Sequence, residues 1–282
     1  MKFGMNLLLW TTHLTEKQSK IVEKIAEVGY DGVEVPLFEG KAAHYTEMRG
    51  LLESVGFDGC SGVTVMSAEK NPASSDAKIR QAGLDHIKWA IDMTAALGGN
   101  LLCGPLHSGL GVFSGKAATK DELKWSADVL RQAGEHASDL AIQLAVEYLN
   151  RFENYLLTTA EQCHDYVDRV GHPSVGMMWD TFHAHIEETD SPKALKGVAE
   201  AVIHVHISEN DRGEPGTGQV DWDDTFKQLK KAKYDGWLTI EAFGRALPDL
   251  AAATRVWRDL FESPEDVYVG GLKFMKKMWK KA

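Results

Sequence analysis

The sequence predicts an α/β protein of the (β/α)8 or TIM-barrel class with an extra C-terminal helix, and three observations carry that reading. Short β-rich runs alternate with longer segments of helical periodicity, eight times in succession, the pattern of repeated βα units that build a parallel sheet. The length of 282 residues suits one such barrel, for which roughly 250 residues is usual. The turn Tyr-Asp-Gly precedes a strand twice, at residues 30–32 and again at 234–236, an echo in keeping with repeated units. No Pro/Ser-rich linker or low-complexity tract divides the chain, so residues 1–282 read as a single barrel domain.

The first strand is expected at residues 3–10. That apolar run is too short for a membrane span and lacks the charged leader and small-residue cleavage site of a signal peptide. A helical pattern at 15–28 follows, with Gly29 as its C-cap. Strands two, three and four are expected at 32–37, 59–65 and 100–107, with a helix at 76–97 leading into the fourth. A helix at 120–140 leads into strand five at 142–150; strands six and seven follow at 175–183 and 202–209, and a helix at 223–233 precedes strand eight at 236–244. In the tail, Lys273, Lys276, Lys277, Lys280 and Lys281 alternate with Phe274, Met275, Met278 and Trp279, which reads as an amphipathic terminal helix with a solvated basic face.

Hydrophobic residues at 44% and charged ones at 26% describe an ordinary globular chain with material for a large core. A net charge of −10 and a pI near 5.6 mean that the mean field repels phosphate backbones and anionic lipid, so neither a nucleic-acid nor a membrane partner is expected. Three cysteines, Cys60, Cys103 and Cys163, are odd in number and show no CxxC spacing. Neither a disulfide framework nor a thiolate zinc site follows, and a reducing cytoplasm suits them.

In a closed barrel the chemistry sits at the C-terminal ends of the strands and in the loops after them. Four of those places carry a metal-competent side chain set in or beside an apolar run: Glu147, Asp180, His206 and Glu241, on strands five to eight. A buried carboxylate is costly unless paired, protonated or bound to a cation, so three converging there call for positive charge, which either Lys and Arg partners or one divalent ion supplies. Three carboxylates with one imidazole form a mostly hard donor set, favouring Mn2+, Mg2+ or Co2+ without excluding zinc. His204 and His206 face the same way, and only the one nearer the strand's C-terminal end should reach a metal, leaving His204 as a satisfied core histidine. The loops after these strands add Arg151, Glu153, His183, His185, Glu209, Asn210 and Arg212, of which Glu153, His183 and Arg212 stand best to grip a polyhydroxy substrate. Trp10, Trp179 and Phe243 are candidates for its apolar walls.

The stretches VEYLNRFE at 146–153, WDTFHAHIEET at 179–189, HVHISENDR at 204–212 with PGTG at 215–218, and IEAF at 240–243 resemble the ketose 3-epimerases, the D-tagatose and D-allulose (psicose) 3-epimerase group within the xylose-isomerase-like barrels. The resemblance spans the chain loosely and is densest from Glu147 to Glu241. It implies that Glu147, Asp180, His206 and Glu241 hold one divalent ion, Mn2+ or Co2+ as a rule. It further implies that Glu147 and Glu241 are the acid/base pair, that Glu153, His183 and Arg212 hold the sugar around O1 to O3, and that the protein is a homodimer or homotetramer. Departures gather in the N-terminal half, where Asn6 and leucines follow the opening Gly-Met, and they leave the preferred sugar open.

The expected activity is therefore metal-dependent epimerisation of a free ketose at C3, of the D-tagatose, D-fructose/D-allulose or L-ribulose type, through a cis-enediolate with proton transfer by two glutamates. Strands five and eight lie three apart in a ring of eight, so their glutamates can flank a substrate plane. The alternative on the same metal barrel is an aldose–ketose or hydroxypyruvate-type isomerase. An endonuclease-like repair enzyme would want more histidine ligands and a basic groove, which the net charge disfavours, and a sugar-binding module would need no opposed base pair. A phosphorylated substrate would look to Gly216, Gly218 and Arg245 after strands seven and eight, although no Gly-rich turn there opens a helix with a basic partner.

Overall fold

The computed structural model describes all 282 residues, Met1 to Ala282. Its strands are β1(Lys2–Asn6), β2(Gly32–Pro36), β3(Cys60–Val63), β4(Leu101–Gly104), β5(Gln143–Val146), β6(Val175–Asp180), β7(Val202–Ile207) and β8(Trp237–Ile240), paired in parallel and in chain order into a closed barrel. Lys2 to Met5 lie in register with Trp237 to Ile240 and close the ring. Around it run α1(Ser19–Val28), α2(Ala42–Ser54), α3(Ala77–Ala96), α4(Lys120–Asp139), α5(Ala160–Val170), α6(Thr181–Glu187), α7(Ser191–Val198), α8(Trp222–Lys231), α9(Pro248–Thr254) and α10(Gly271–Lys281). With helices outside and side chains filling the middle, strands such as β2, β4 and β6 are buried at every position, which is why they read as apolar runs and not as alternating ones.

Local chemistry sets the element boundaries. The Thr15 hydroxyl and Gln18 form a capping box on a short 3-10 turn ahead of α1, and α1 ends at Gly29 in the left-handed region, φ 99°. Thr119 and Glu122 form a second capping box at α4, while Thr159 and Asp221 cap α5 and α8. At the end of β4, Gly104 is required: a Cβ there would lie 2.1 Å from the Thr64 carbonyl oxygen.

Several strands are shorter than their apolar runs. The chain leaves the sheet after Asn6, whose Oδ1 accepts the Leu8 N–H at 2.8 Å, and residues 7–9 form a 3-10 turn instead of continuing the strand. Likewise β6 stops at Asp180, which caps α6 through the N–H groups of Phe182 and His183; His183 thus stands on a helix and not in a loop. In each case the apolar character continues because the chain stays buried at the mouth of the barrel, where backbone pairing has ended. Between β6 and β7 the register slips: Met177 pairs with Val202, but Met178 pairs with His204 and Asp180 with His206. That bulge brings the Asp180 and His206 positions level at the barrel's C-terminal end.

The C-terminal helix closes the seam between the first and last units. Its Phe274 packs edge-on to Trp222 of α8, its Lys276 Nζ donates to the Gly29 carbonyl at 3.1 Å, and just before it the Tyr268 carbonyl accepts from the Tyr30 hydroxyl at 2.7 Å. Lys273, Lys276, Lys277, Lys280 and Lys281 are exposed while Leu272, Met275 and Met278 are buried, as the amphipathic pattern predicts. All three cysteines are free and buried. No helix is long and apolar enough to cross a membrane.

Candidate active site

Glu147 directly follows β5, Asp180 ends β6, His206 lies in β7 and Glu241 directly follows β8, so four consecutive strands deliver four side chains to one place. One donor atom from each lies within 4.8 Å of all the others. His206 Nδ1 stands 3.5 Å from Asp180 Oδ2, 3.5 Å from Glu241 Oε1 and 4.0 Å from Glu147 Oε1. Although fully buried, this nitrogen has no hydrogen-bond partner, an unusual state for an interior polar atom. Burial, then repulsion from Glu241 and Asp180, drives the Glu147 carboxyl well above the usual carboxylate range. Burial also works against the charge on Asp180, but His183, Arg212 and His206 outweigh it and hold that carboxyl below its ordinary value. Three acids around one unpartnered imidazole nitrogen form a donor set that fits a hard divalent cation.

Directly beneath is a residue that sequence reasoning missed. Glu34 of β2 is fully buried, and its carboxylate accepts from Asn6 Nδ2 at 2.8 Å, Ser61 Oγ at 2.9 Å, Cys103 Sγ at 3.1 Å, His204 Nε2 at 2.8 Å and His206 Nε2 at 2.8 Å. Burial alone would raise its carboxyl, yet the two imidazoles hold it well below the usual range. His204, expected as a satisfied core histidine, finds its partner here. The rule that a carboxylate amid apolar residues demands an explanation applies to Gly32-Val33-Glu34-Val35-Pro36 as well as to strands five to eight.

Arg212 is buried in the loop after β7 with φ 67°, a left-handed conformation uncommon for a residue with a side chain. Its guanidinium carbon sits 3.8 Å over the Phe182 ring and 5.0 Å from that of Phe243, an aromatic sandwich that aims the cation. Nη1 donates to Glu241 Oε2 and, at 3.3 Å, to Asp180 Oδ2. His183 Nδ1 accepts the Asn150 backbone N–H at 3.0 Å, while Nε2 lies 3.5 Å from Glu147 Oε1 and 3.2 Å from Arg212 Nη2. Glu153 is held by Asn150 Nδ2 at 2.8 Å. Glu147, Glu153, His183, Arg212 and Glu241 all line a single cavity of about 300 Å³, whose other side is apolar, with Leu8, Phe38, Val63, Leu149 and Phe243 among its walls.

Other candidates go elsewhere. Glu209 accepts from the Gly216 and Val220 N–H groups and from Trp222 Nε1, clasping its own loop. Asn210 accepts the Gln219 N–H, and Arg151 pairs with Glu187. His185 does not line the cavity, nor do Trp10 and Trp179; Trp10 packs on Tyr268 and Trp179 on Tyr148. Of the three aromatic candidates for walls, only Phe243 lines the cavity; Trp179 lies in the hydrophobic core and Trp10 packs against it. Arg245 forms an exposed pair with Asp259 at 2.7 Å, and the Gly216 N–H is engaged by Glu209, so two of the groups a phosphate would use after strands seven and eight are already paired.

Residues 22–278 match the xylose isomerase-like TIM barrel family. The chain is 32% identical over 270 residues to a ketose 3-epimerase of Arthrobacter globiformis, covering 95% of this chain and 93% of that protein. It is 30% identical over 264 residues to a D-psicose 3-epimerase of Agrobacterium fabrum, covering 92% and 91%. A crystal structure of a Methylomonas D-allulose 3-epimerase in complex with D-allulose superposes with a TM-score of 0.92 at 28% identity, covering 99% of this chain and 97% of that one. The chain belongs to the xylose isomerase-like TIM barrel family and, within it, to the ketose 3-epimerases, enzymes of the isomerase class.

Proposed function

We propose that this enzyme inverts C3 of a free ketose, of the D-tagatose, D-fructose/D-allulose or L-ribulose type, at a single divalent cation held by Glu147, Asp180, His206 and Glu241, with Mn2+ the first choice. The observation that carries the reading is the convergence of three buried acids on the unpartnered His206 Nδ1, two of them, Glu147 and Glu241, lining the cavity. The relatives' names, which cover D-psicose and L-ribulose 3-epimerases, support the substrate class.

A bound cation supplies Lewis acidity that polarises the C2 carbonyl and acidifies the C3 hydrogen. Glu147 and Glu241 follow strands three apart in the ring and face the sugar from two sides. One carboxylate takes the C3 proton, the C–H electron pair enters the C2–C3 enediolate, and the other carboxylic acid returns a proton to the opposite face, so C3 inverts with no net redox change. Glu153, His183 and Arg212 grip the oxygens around C1 to C3, with Arg212 positioned to stabilise negative charge developing on oxygen. The apolar walls meet the remainder of the sugar.

The test is to incubate the chelated and Mn2+-reloaded protein with a panel of free ketoses in D2O and analyse C3 epimers and their label. Metal-dependent C3 epimers carrying deuterium at C3 are expected. Label only at C1, or undiminished activity in a protein free of metal by elemental analysis, would replace this reading with another carbon or another chemistry.

A further inference from the structure

The group beneath the proposed metal site, Glu34 with Cys103, His204 and His206, also has the composition of a cation site, but its hydrogen bonds describe something else. A carboxylate has about four lone-pair positions. On Glu34, Oε1 accepts from Asn6 and His206, and Oε2 accepts from Ser61, Cys103 and His204. Five donors leave no face for a second ion. An ionised carboxylate only accepts, so the nitrogen of His206 that faces it carries a proton. That nitrogen is Nε2; the other, Nδ1, is the one turned toward Asp180, Glu241 and Glu147.

We infer that Glu34 is a positioning residue for the metal site: it holds His206 in the tautomer with its proton on Nε2 and in the ring orientation that presents the Nδ1 lone pair to the cation. This rests on the single-metal reading proposed above. Carboxylates that hold a ligating histidine through its second nitrogen fix the ring and raise its basicity, and their loss commonly weakens metal binding 10- to 100-fold. Three further groups fix Glu34 in turn, since Asn6, Ser61 and Cys103 reach it from β1, β3 and β4. The Asn6 amide is also 3.5 Å from Glu241 Oε1, so the same device touches one of the two proposed bases. His204 shares the carboxylate but is not among the residues gathered around His206 Nδ1.

The experiment compares Mn2+ affinity, by competition with a chelator, in wild type, Glu34→Gln and His204→Phe, with metal stoichiometry and thermal unfolding measured in parallel. In Glu34→Gln the amide oxygen can still accept from His206, and the NH2 group meets His204, whose unpartnered Nδ1 can take up the displaced ring proton. The variant therefore keeps the shape and removes the charge. Mn2+ affinity is expected to fall about 10- to 100-fold in Glu34→Gln and to stay near wild type in His204→Phe. Equal losses in both variants would show that the hub merely packs, and an unchanged Glu34→Gln or two ions per wild-type chain would also overturn the inference. Wild-type protein with 15N-histidine, loaded with Mg2+, gives a reading that needs no variant to fold: the His206 proton on Nε2 is expected, and on Nδ1 would be fatal to the idea. If wild type binds no Mn2+, the metal reading falls and this inference with it; if wild type binds and the variants fail as described, only this inference falls.

Discussion

Two groups of buried acids share His206, and they are satisfied in opposite ways. Below, a single carboxylate, Glu34, faces five donors and is held well below its usual proton affinity by two imidazoles. Above, three carboxylates face one guanidinium and the imidazoles of His206 and His183, and repulsion adds to burial in lifting Glu147 well above its usual range. The lower group is closed, with every face of its carboxylate taken, while the upper is short of positive charge and opens onto a cavity through Glu147 and Glu241. The contrast teaches that buried acids alone do not single out a site; the balance of positive charge against acids separates the two groups. The upper group is also lopsided, since Arg212 pairs with Glu241 and Asp180, while the nearest basic group to Glu147 Oε1 is His183 Nε2 at 3.5 Å.

The sharpest break of this picture comes at the two glutamates. Glu147→Gln and Glu241→Gln should each lower kcat for C3 epimerisation by about 10²- to 10⁴-fold, the usual worth of a positioned acid or base. Each variant should still exchange the C3 hydrogen of one epimer with D2O, because the remaining glutamate serves its own face. Epimerisation surviving both changes, with metal content verified, would assign the proton chemistry to other residues. Next in size, Arg212→Ala should cost about 10²-fold in kcat, the loss expected when one stabilising donor is removed. Its metal content should not fall, since the guanidinium competes with a cation for Glu241 and Asp180; metal-free protein from this variant would mean that Arg212 builds the ligand set and does not serve the sugar.

A third measurement concerns stability. His107 is buried, neither ring nitrogen has a hydrogen-bond partner, and burial holds its proton affinity down at a pKa of about 3. An unfolded chain takes up this proton as pH falls through about 6.5, whereas the folded protein does not until about 3, so the contribution is complete above 6.5 and drains away between those values. Unfolding free energy should drop by on the order of 3 kcal/mol from pH 7 to pH 4 on this account, and His107→Asn should flatten the profile; an equally steep profile in that variant would place the sensitivity elsewhere. The smallest effect probes the lopsidedness directly. Without metal, Glu147→Gln should stabilise the fold by on the order of 1 kcal/mol, a usual size for one site, because it removes a carboxylate that burial and then repulsion disfavour. Glu241→Gln should destabilise it, because Arg212 loses a partner. Shifts of the same sign in calorimetry would contradict the asymmetry.

Much of this was legible in the sequence for a physical reason. Buried parallel strands read as apolar runs, and barrel topology confines chemistry to their C-terminal ends, so Glu147, Asp180, His206 and Glu241 stand out as polar residues in the wrong company. The strand ends were less legible, because residues 7–9 and 181–183 remain apolar or buried after pairing stops. Glu34 escaped notice because its explanation lies in Asn6, Ser61, Cys103, His204 and His206, residues from four other strands, and nothing along a single chain shows that five donors converge. The roles of Trp10 and Trp179 turned on which way a ring points at a strand end, which apolar periodicity does not encode.

The seam between β1 and β8 has a consequence for how the chain is made. One edge of β1 finds β2 almost at once, but its other edge waits for residues 237–240, and the helix that covers the junction comes later still. Until residues 237–240 are in place, one edge of β1 has no partner in the ring, and an unpaired strand edge is prone to pairing with a neighbour. The ring therefore cannot be completed by any chain that lacks β8.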